Sequence, residues 1–305
     1  MPHGWIILDK PLELGSTQAV AAVKRNLREA GFNMKLKGGV KVGHGGTLDP
    51  LASGVLPIAL GEATKLTGRM LDADKTYLFT LRFGEETDTL DAEGKVIATS
   101  EVIPAREDVA AILPRFTGPI TQVPPAYSAL KVDGKRAYDL ARAGEEVTLK
   151  SRDVTIHALE IHGFDASDGV TLLASVTKGT YIRSLARDIA HALGSRGTVT
   201  MLRRIKAGPF ALAQAISLDK LNEIGKGAPL EQILLPLEAG LDDIPAIDLT
   251  PEQARAVRQG RVLTGMPQDD GLHWARLESV PVALVELSHG EVRVVRGFNL
   301  IDVAE

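Results

Sequence analysis

The sequence has 305 residues with a formal net charge of −4, 44% hydrophobic residues and 24% charged residues, the values of a globular chain that can bury a full core. It contains no cysteine, which excludes disulfides, thiolate metal sites and cysteine nucleophiles and fits a reducing cytoplasm. The N-terminus MPHGWIILDKP lacks the features of a signal peptide, and no apolar run reaches the roughly 18 residues of a membrane span, so we expect a soluble, cytoplasmic protein.

A strand and an amphipathic helix are predicted first. GWIILDKP is typical of a short strand that ends in a turn, and STQAVAAVKRNLREAGF predicts a helix with Ser16 or Thr17 as N-cap and Gly31 as the stop. Residues 24–41 carry six basic residues against one acid, a local charge of +5. This stretch is either a solvated helix face or a stripe that binds a polyanion, and charge alone does not separate the two.

The stretch GHGGTLDPLASG, residues 43–54, places a single carboxylate, Asp49, among glycines and directly ahead of apolar residues. Pro50 biases Asp49 towards extended backbone, and Gly45 and Gly46 would let a flat ligand approach. A carboxylate at the edge of a core needs a partner to remain ionised. From these residues alone, a capping aspartate in a tight turn and a nucleophile or base remain alternatives.

The middle of the chain alternates strands, turns and one clear helix. TYLFTLRFG predicts a strand with Tyr77, Phe79 and Leu81 on one face, and TDTLDAEGKV a turn into another strand. Residues 122–152 form a proline-led, basic segment. GVTLLASVTKG then predicts a strand that leads into the helix TYIRSLARDIAHALG, which ends at Gly194.

The C-terminal part begins with acidic, proline-marked sequence from about 228 to 246, which is typical of a linker. LTPEQARAVRQG predicts a short helix, and VALVELSHGEVRVV a hairpin that turns at His289-Gly290. Strands with a few helices and no regular βαβ repeat indicate an α+β body with a small β-rich tail.

Metal and nucleotide sites are weakly supported. Asp88, Asp91 and Glu93 could bind a hard cation, but the remaining ligands of a calcium loop are missing and turns between strands have the same composition. The histidines show no paired spacing such as HExxH, so the sequence does not indicate a zinc site. GHGG at residues 43–46 begins like a dinucleotide loop, but Leu48 replaces its third glycine and no P-loop lysine follows.

Several long motifs, in one order, carry a family resemblance. GHGGTLDPLASGVLPIALGEATKL resembles the signature of the TruB family, pseudouridine synthases that act on the T-arm of transfer RNA. The resemblance extends to LDKP, KTYLFTLRFGEETDTLDAEG, VPPAYSALKVDGKRAYDLAR, KGTYIRSLARD and LRRIKAGPF. One departure is KPLELGSTQA, which is a residue longer than the family pattern and has Ser16-Thr17 in place of Thr-Ser; it affects the local helix cap.

The resemblance implies a domain organisation. It implies an α+β pseudouridine synthase catalytic domain at residues 1–245, with a mixed, mainly antiparallel sheet flanked by helices. Residues 122–152 resemble the family's thumb-like insertion that clamps the T-arm. Residues 246–305 resemble a small PUA domain, an RNA-binding unit with a β-barrel-like fold.

The resemblance also implies roles for site residues. Asp49 would be the nucleophile that attacks either the uracil ring or the ribose, Arg183 its partner, and Tyr77 the aromatic that stacks on the flipped base. The helix dipole supports Arg183, because we expect Thr180 or Gly179 to cap the helix and thus place Arg183 in its first turn. The remaining base and loop contacts would come from His44, Gly45, Gly46, Tyr181 and Leu202.

RNA binding would draw on the basic insertion. Lys131, Lys135, Arg136 and Arg142 would contact phosphates, which set register rather than sequence. The implied reaction detaches uracil, rotates it and reattaches it through carbon, so no cofactor and no metal are expected. The expected partner is tRNA through its T-arm, without a membrane, for a protein that is monomeric by default. A non-catalytic RNA-binding or RNA-folding protein, and a metal-dependent hydrolase built on Asp49, Asp88 and Asp91, remain the alternatives.

Overall fold

The computed structural model describes residues 1–35, 37–128, 130–132, 135–143, 149–165, 167 and 169–300; at positions 131, 132, 135, 136, 138, 141 and 142 it describes the backbone only. Within these residues, no helix is both long and apolar enough to cross a membrane.

Helices and strands alternate irregularly along the described chain. The helices are α1 (Ser16–Glu29), α2 (Thr67–Asp72), α3 (Arg106–Ile112), α4 (Ala137–Arg142), α5 (Ile182–Ala192), α6 (Leu218–Gly225) and α7 (Pro251–Arg258). The strands are β1 (Gly4–Lys10), β2 (Val42–His44), β3 (Ala52–Leu60), β4 (Lys75–Phe83), β5 (Glu85–Thr87), β6 (Val96–Thr99), β7 (Gly118–Gln122), β8 (Lys131–Val132), β9 (Lys135–Arg136), β10 (Arg152–Asp165), β11 (Gly169–Val176), β12 (Gly197–Ala207), β13 (Phe210–Ala211), β14 (Ala246–Asp248), β15 (Gly271–Leu277), β16 (Val280–Ser288) and β17 (Glu291–Gly297). Short 3-10 helices span Gly61–Leu66, Leu113–Phe116, Leu212–Gln214, Leu230–Gln232 and Leu237–Leu241.

A nine-stranded sheet forms the centre of the fold. Its order is β1-β3-β12-β4-β11-β10-β7, with β2 paired to β3 and β13 paired to β12. The pairings are antiparallel except for β3 with β12. That parallel pairing sets Leu202 opposite Ala52, and the antiparallel pairing of β12 with β4 sets Arg204 opposite Tyr77. The start of β3, just after Asp49, therefore lies beside Leu202 and near Tyr77.

Helix α1 begins where the sequence departs from the family pattern. The predicted N-cap, Ser16 or Thr17, is wrong by one residue, because Gly15 is the cap and the Gln18 side chain accepts its backbone N–H at 2.7 Å. The Ser16 hydroxyl is buried instead against Leu48, from whose N–H it accepts at 2.8 Å and to whose carbonyl it donates at 2.9 Å. Gly31, with φ of +87°, follows the C-cap as expected.

Helix α5 has the predicted apolar face, but it begins one residue later than expected. Its N-cap is Tyr181, and Arg183 still lies in the first turn. Leu185 and Ile189 are fully buried, and the helix packs against β12 and β4 in a core with Phe79. Gly194 adopts a φ of +71° after the last turn.

Strand β1 is buried on both faces. Ile6 and Leu8 belong to the core under α1 and α6, whereas Trp5 and Ile7 belong to a second core shared with the C-terminal sheet. This double burial accounts for the continuous apolar run WIIL, which lacks alternation.

The segment expected to be a linker, 228–246, is packed into the body, so that prediction was wrong. Leu230, Leu237 and Leu241 are buried, and Leu235 exchanges backbone hydrogen bonds with Trp5, both at 2.8 Å. Acidic and proline residues are frequent in this segment, but the leucines between them decide the structure because they bury apolar surface.

The C-terminal part folds around a four-stranded sheet of order β14-β15-β16-β17. The predicted hairpin turn is present, with φ of +52° at His289 and +76° at Gly290. Helix α7 is capped by the Thr250 hydroxyl, which accepts from the Gln253 N–H at 3.2 Å. In the described residues this sheet is open, whereas a barrel-like closure was expected.

Candidate active site

Asp49 lies in the loop between β2 and β3, and buried side chains hold that loop by its backbone. Arg204, buried under the sheet, donates to the carbonyls of Gly46 (3.2 Å) and Thr47 (3.3 Å). Lys10 donates to the Pro50 carbonyl at 3.3 Å, while its stronger bonds go to neighbouring carbonyls of its own turn. The glycine-rich stretch is therefore fixed in spite of its composition.

Arg183 provides the partner that the Asp49 carboxylate requires. Its Nη2 lies 2.8 Å from Asp49 Oδ2 and also donates to the Tyr127 carbonyl at 3.0 Å, and its Nη1 donates to the Thr89 carbonyl at 2.7 Å. The Arg183 side chain is 6% exposed and that of Asp49 46% exposed. The cation is thus held in the protein, while the carboxylate remains open to an incoming group.

A second carboxylate, Asp91, lies on the other side of Arg183. Its Oδ2 is 3.3 Å from Arg183 Nη1, and its Oδ1 accepts from the Thr89 hydroxyl at 2.6 Å and from the Glu93 N–H at 3.1 Å. Asp88, by contrast, accepts the Lys95 N–H in the turn between β5 and β6. Within the described residues no group of acids and histidines has the arrangement of a metal site.

Asp49 and Arg183 line a pocket of about 380 Å³, a volume suited to a small flat ligand. Asp49, Arg183, Tyr77, Tyr181 and Leu202 all face it. A carboxylate–guanidinium pair beside two aromatic rings and a leucine can hold a planar heterocycle against the carboxylate. The arrangement fits nucleophilic attack on a stacked base.

Tyr181 is fixed at the N-terminus of α5. The buried Gln122 side chain accepts the Tyr181 N–H at 3.2 Å and donates to its carbonyl at 3.4 Å. Burial raises the pKa of the Tyr181 phenol above its usual value, and the cation Arg152 only partly opposes this. The phenol therefore stays protonated at neutral pH.

The glycines and the histidine ahead of Asp49 serve the loop more than the pocket. A Cβ on Gly45 would lie 2.6 Å from the Met70 Cβ, so packing requires this glycine, whereas ligand access was the predicted reason. Gly46 does line the pocket. His44 does not, and its Nδ1 accepts the Gly46 N–H at 3.4 Å. Burial, assisted by Arg204, lowers the pKa of His44, so the ring is neutral.

The predicted phosphate contacts fall on the segment around β8, β9 and α4. The backbones of β8 and β9 pair as a short hairpin, Lys131 opposite Arg136. The side chains of Lys131, Lys135, Arg136 and Arg142 lie outside the described residues.

Sequence reasoning missed three buried cations around the site: Lys10, Lys75 and Arg204. Lys75 lines the pocket, and its Nζ donates to the carbonyls of Met70, Leu71 and Ala73 at 2.9, 2.7 and 2.5 Å. Burial lowers the pKa of Lys10 and of Lys75 to about 8. A signal was available, since Lys10 and Arg204 lie within LDKP and LRRIKAGPF, but only their motif membership was used.

The comparisons with known proteins point to one family. Residues 32–182 match the TruB family pseudouridylate synthase N-terminal domain, and residues 183–242 match the tRNA pseudouridylate synthase B C-terminal domain. The chain is similar to tRNA pseudouridine synthase B of Novosphingobium aromaticivorans, with 71% identity over 309 residues and full coverage of both chains. It is similar to the protein of the same name from Zymomonas mobilis, with 59% identity over 297 residues, 97% of this chain and 96% of the other.

The fold has a counterpart in a solved Cbf5–Nop10–Gar1 complex, at 26% identity and a TM-score of 0.74, with 97% of this chain and 85% of the other covered. Fold and site together define a pseudouridine synthase, an isomerase of uridine. The chain belongs to the TruB family of pseudouridylate synthases.

Proposed function

We propose that this protein isomerises uridine-55 in the T-loop of tRNA to pseudouridine, with Asp49 as the nucleophile. The observation that carries the proposal is the 2.8 Å ion pair between Asp49 and Arg183 in a pocket lined by aromatic rings. The relatives bear the name of this activity on tRNA. Residues at family motif positions, rather than the fold alone, support the T-loop uridine as the target.

The chemistry needs an ionised, oriented carboxylate. An aspartate with an unperturbed pKa near ~4 is ionised at neutral pH, and Arg183 fixes its direction. Asp49 attacks either the uracil ring or the ribose, the glycosidic bond breaks, and the base turns and reattaches through carbon. Because the product is an isomer of the substrate, the reaction requires no oxidant and no group donor.

The base must leave the T-loop stack to enter the pocket. Tyr77 and Tyr181 offer ring surfaces to receive it, and stacking stabilises each base by about 1–3 kcal/mol. Leu202 closes the pocket at its β12 wall. The proposed role of His44 is to occupy the space that the base leaves, from its position at the end of β2.

RNA binding outside the pocket completes the proposal. Residues 1–245 form the catalytic domain, in which the 122–152 insertion clamps the T-arm through Lys131 and Arg136. Residues 246–305 form a PUA-like RNA-binding domain. The protein acts on tRNA as a monomer in the cytoplasm.

The test is pseudouridine mapping at single-nucleotide resolution on an unmodified tRNA transcript, in excess EDTA. We expect pseudouridine at the T-loop uridine alone, and its loss in Asp49→Asn. A metal-dependent hydrolase would form no pseudouridine, and the chelator would abolish its own activity while leaving a synthase untouched. Tight tRNA binding without product from the intact chain would favour the non-catalytic RNA-binding or RNA-folding protein and return Asp49 to a turn residue.

A further inference from the structure

Arg152, the first residue of β10, lies over the ring of Tyr181. Its Cζ is 5.5 Å from the ring centroid, a cation–π distance. Gly179 makes room for it, since a Cβ there would lie 3.3 Å from Arg152 Nη1. Arg152 is also opposite Gln122 in the β10–β7 register, and Gln122 clamps the Tyr181 backbone. The guanidinium is therefore held beside two residues, Gly179 and Tyr181, that line the pocket.

No described residue neutralises Arg152. Its Nε is buried without an acceptor, and none of the ion pairs found among the described residues includes Arg152. Arg276 gives a direct comparison, because its Cζ also lies 5.5 Å from an aromatic centroid, that of Trp274. There the Nε donates to Asp248 at 2.6 Å. Both arginines therefore stack on an aromatic ring, but only Arg276, in the C-terminal sheet, also has a carboxylate partner.

Ser128 is a second buried polar group of the pocket wall. It is 4% exposed, and its hydroxyl is buried. It interacts with the Tyr181 phenol, whose pKa it lowers against the effect of burial, so of these two groups the Arg152 Nε is the one without an acceptor. Buried polar groups are nearly always satisfied in native proteins, so the unsatisfied Arg152 Nε beside Tyr181 indicates a polar ligand.

We propose that Arg152 binds a backbone phosphate adjacent to the target nucleotide and so anchors the flipped base in the pocket. The inference rests on the proposed function, because an RNA substrate carries its negative charge on its phosphodiesters. A planar guanidinium suits a phosphate, to which it donates two parallel hydrogen bonds. Arg183 is not available for this contact, since Asp49, Asp91 and two carbonyls already occupy it.

The experiment is a cycle between protein and RNA. Single-turnover isomerisation is measured on a T-arm stem-loop whose phosphodiester 5′ or 3′ of the target uridine is replaced by an uncharged methylphosphonate. The proteins are the wild type, Arg152→Met, Arg152→Lys and the control Arg82→Met, in which the lost arginine is exposed and paired with Glu85. Melting temperatures are recorded for each, and Arg152→Gln replaces the methionine variant if that one does not fold.

At one of the two positions, the methylphosphonate is expected to slow the wild type about tenfold, the scale of a charge-assisted hydrogen bond. The Arg152→Met rate on native RNA is expected to fall by about the same factor. The methylphosphonate at that position is expected to slow this variant no further. Arg152→Lys keeps sensitivity to the methylphosphonate, and Arg82→Met behaves as the wild type.

If the rate losses from Arg152→Met and from the methylphosphonate multiply at both positions, Arg152 only supports the Tyr181 ring and the proposal is wrong. A wild-type rate for Arg152→Met on native RNA would equally overturn it. Failure of the proposed function would look different, since the wild type would then form no pseudouridine on native RNA. In that case the same cycle, read as equilibrium binding of the stem-loop, still decides whether Arg152 contacts a phosphate.

Discussion

Arg183 stands between two carboxylates with different surroundings, and that difference divides their roles. Asp49 faces the pocket, and the hydrogen bond found for its side chain among the described residues comes from Arg183. Asp91 is buried, and its carboxylate accepts from Thr89 and Glu93 and pairs with Arg183. A carboxylate saturated with donors is a poor nucleophile but a good anchor. We therefore expect Asp91 to serve the proposed reaction by holding the cation that orients Asp49.

Asp91→Asn is expected to lower the rate of the chemical step about a hundredfold, because a small displacement of Arg183 moves Asp49, the proposed nucleophile, out of line. RNA affinity is expected to change little, since Asp91 does not face solvent. Single-turnover rates and stem-loop binding measure the two effects. Asp88→Asn is the matched control, because Asp88 only accepts a backbone N–H in the same turn; equal losses in both variants would point to disruption of the turn instead.

Lys75 gives a prediction on pH and stability. Its pKa is lowered from 10.5 to about 8 by burial, so between these values the unfolded chain binds more protons than the folded one. Stability then rises with pH from about 8 to 10.5 through this group, and the cost of burying the charged form is fully present below pH 8. In urea titrations at several pH values, the free energy of unfolding of the wild type should rise relative to that of Lys75→Met over this pH range. A constant difference across it would contradict the assignment.

At the scale of the elements, the parallel pairing of β3 with β12 decides where the site forms. Gly54 in β3 has a φ of +103°, and a Cβ there would lie 2.1 Å from the Arg204 carbonyl oxygen. Only glycine allows this approach of the two backbones. The same contact keeps Arg204 beneath the loop that carries Asp49.

Gly54→Ala is expected to destabilise the protein by more than about 2 kcal/mol, since both the backbone conformation and the space are incompatible with a side chain. Gly68 in α2 is the matched control, because it lies in a helix and a Cβ there meets nothing within 4 Å. Gly68→Ala should stabilise by about 0.4–1 kcal/mol. Chemical denaturation of the two variants compares them directly, and equal effects would contradict the steric argument.

Local patterns predicted most elements, and the family resemblance supplied the residues proposed for the pocket, but neither gave the links between the elements. Alternation identified β4, and the apolar period identified α5, because each reflects one buried face. The parallel pairing at Leu202 joins segments about 150 residues apart, and no local signal encodes such a contact. Lys10 and Arg204 were missed for the same reason, since their acceptors are backbone carbonyls, which every residue possesses.

At the scale of the whole molecule, the C-terminal sheet shares a core with the body built on the nine-stranded sheet. Trp274, Leu284 and Phe298 pack in the cluster that contains Trp5 and Phe210. Polar contacts reinforce this joint, among them Arg69 with Asp243 at 2.5 Å and the Lys65 Nζ with the Gly297 carbonyl at 2.8 Å. An interface with a buried apolar centre should unfold together with the domains that it joins.

The two tryptophans allow this to be tested, since one lies in each part. In Trp274→Phe, Trp5 is the single tryptophan and its fluorescence reports on the body, while circular dichroism reports on the whole chain. We expect the two signals to coincide in urea, and Leu284→Ala in this background to lower both midpoints together, by a loss of about 2 kcal/mol or more from the cavity. Val295→Ala, an exposed position on β17, should move neither. If Leu284→Ala shifted only the circular dichroism and left the Trp5 transition in place, the C-terminal sheet would be an independent unit, tethered to the body built on the nine-stranded sheet rather than stabilising it.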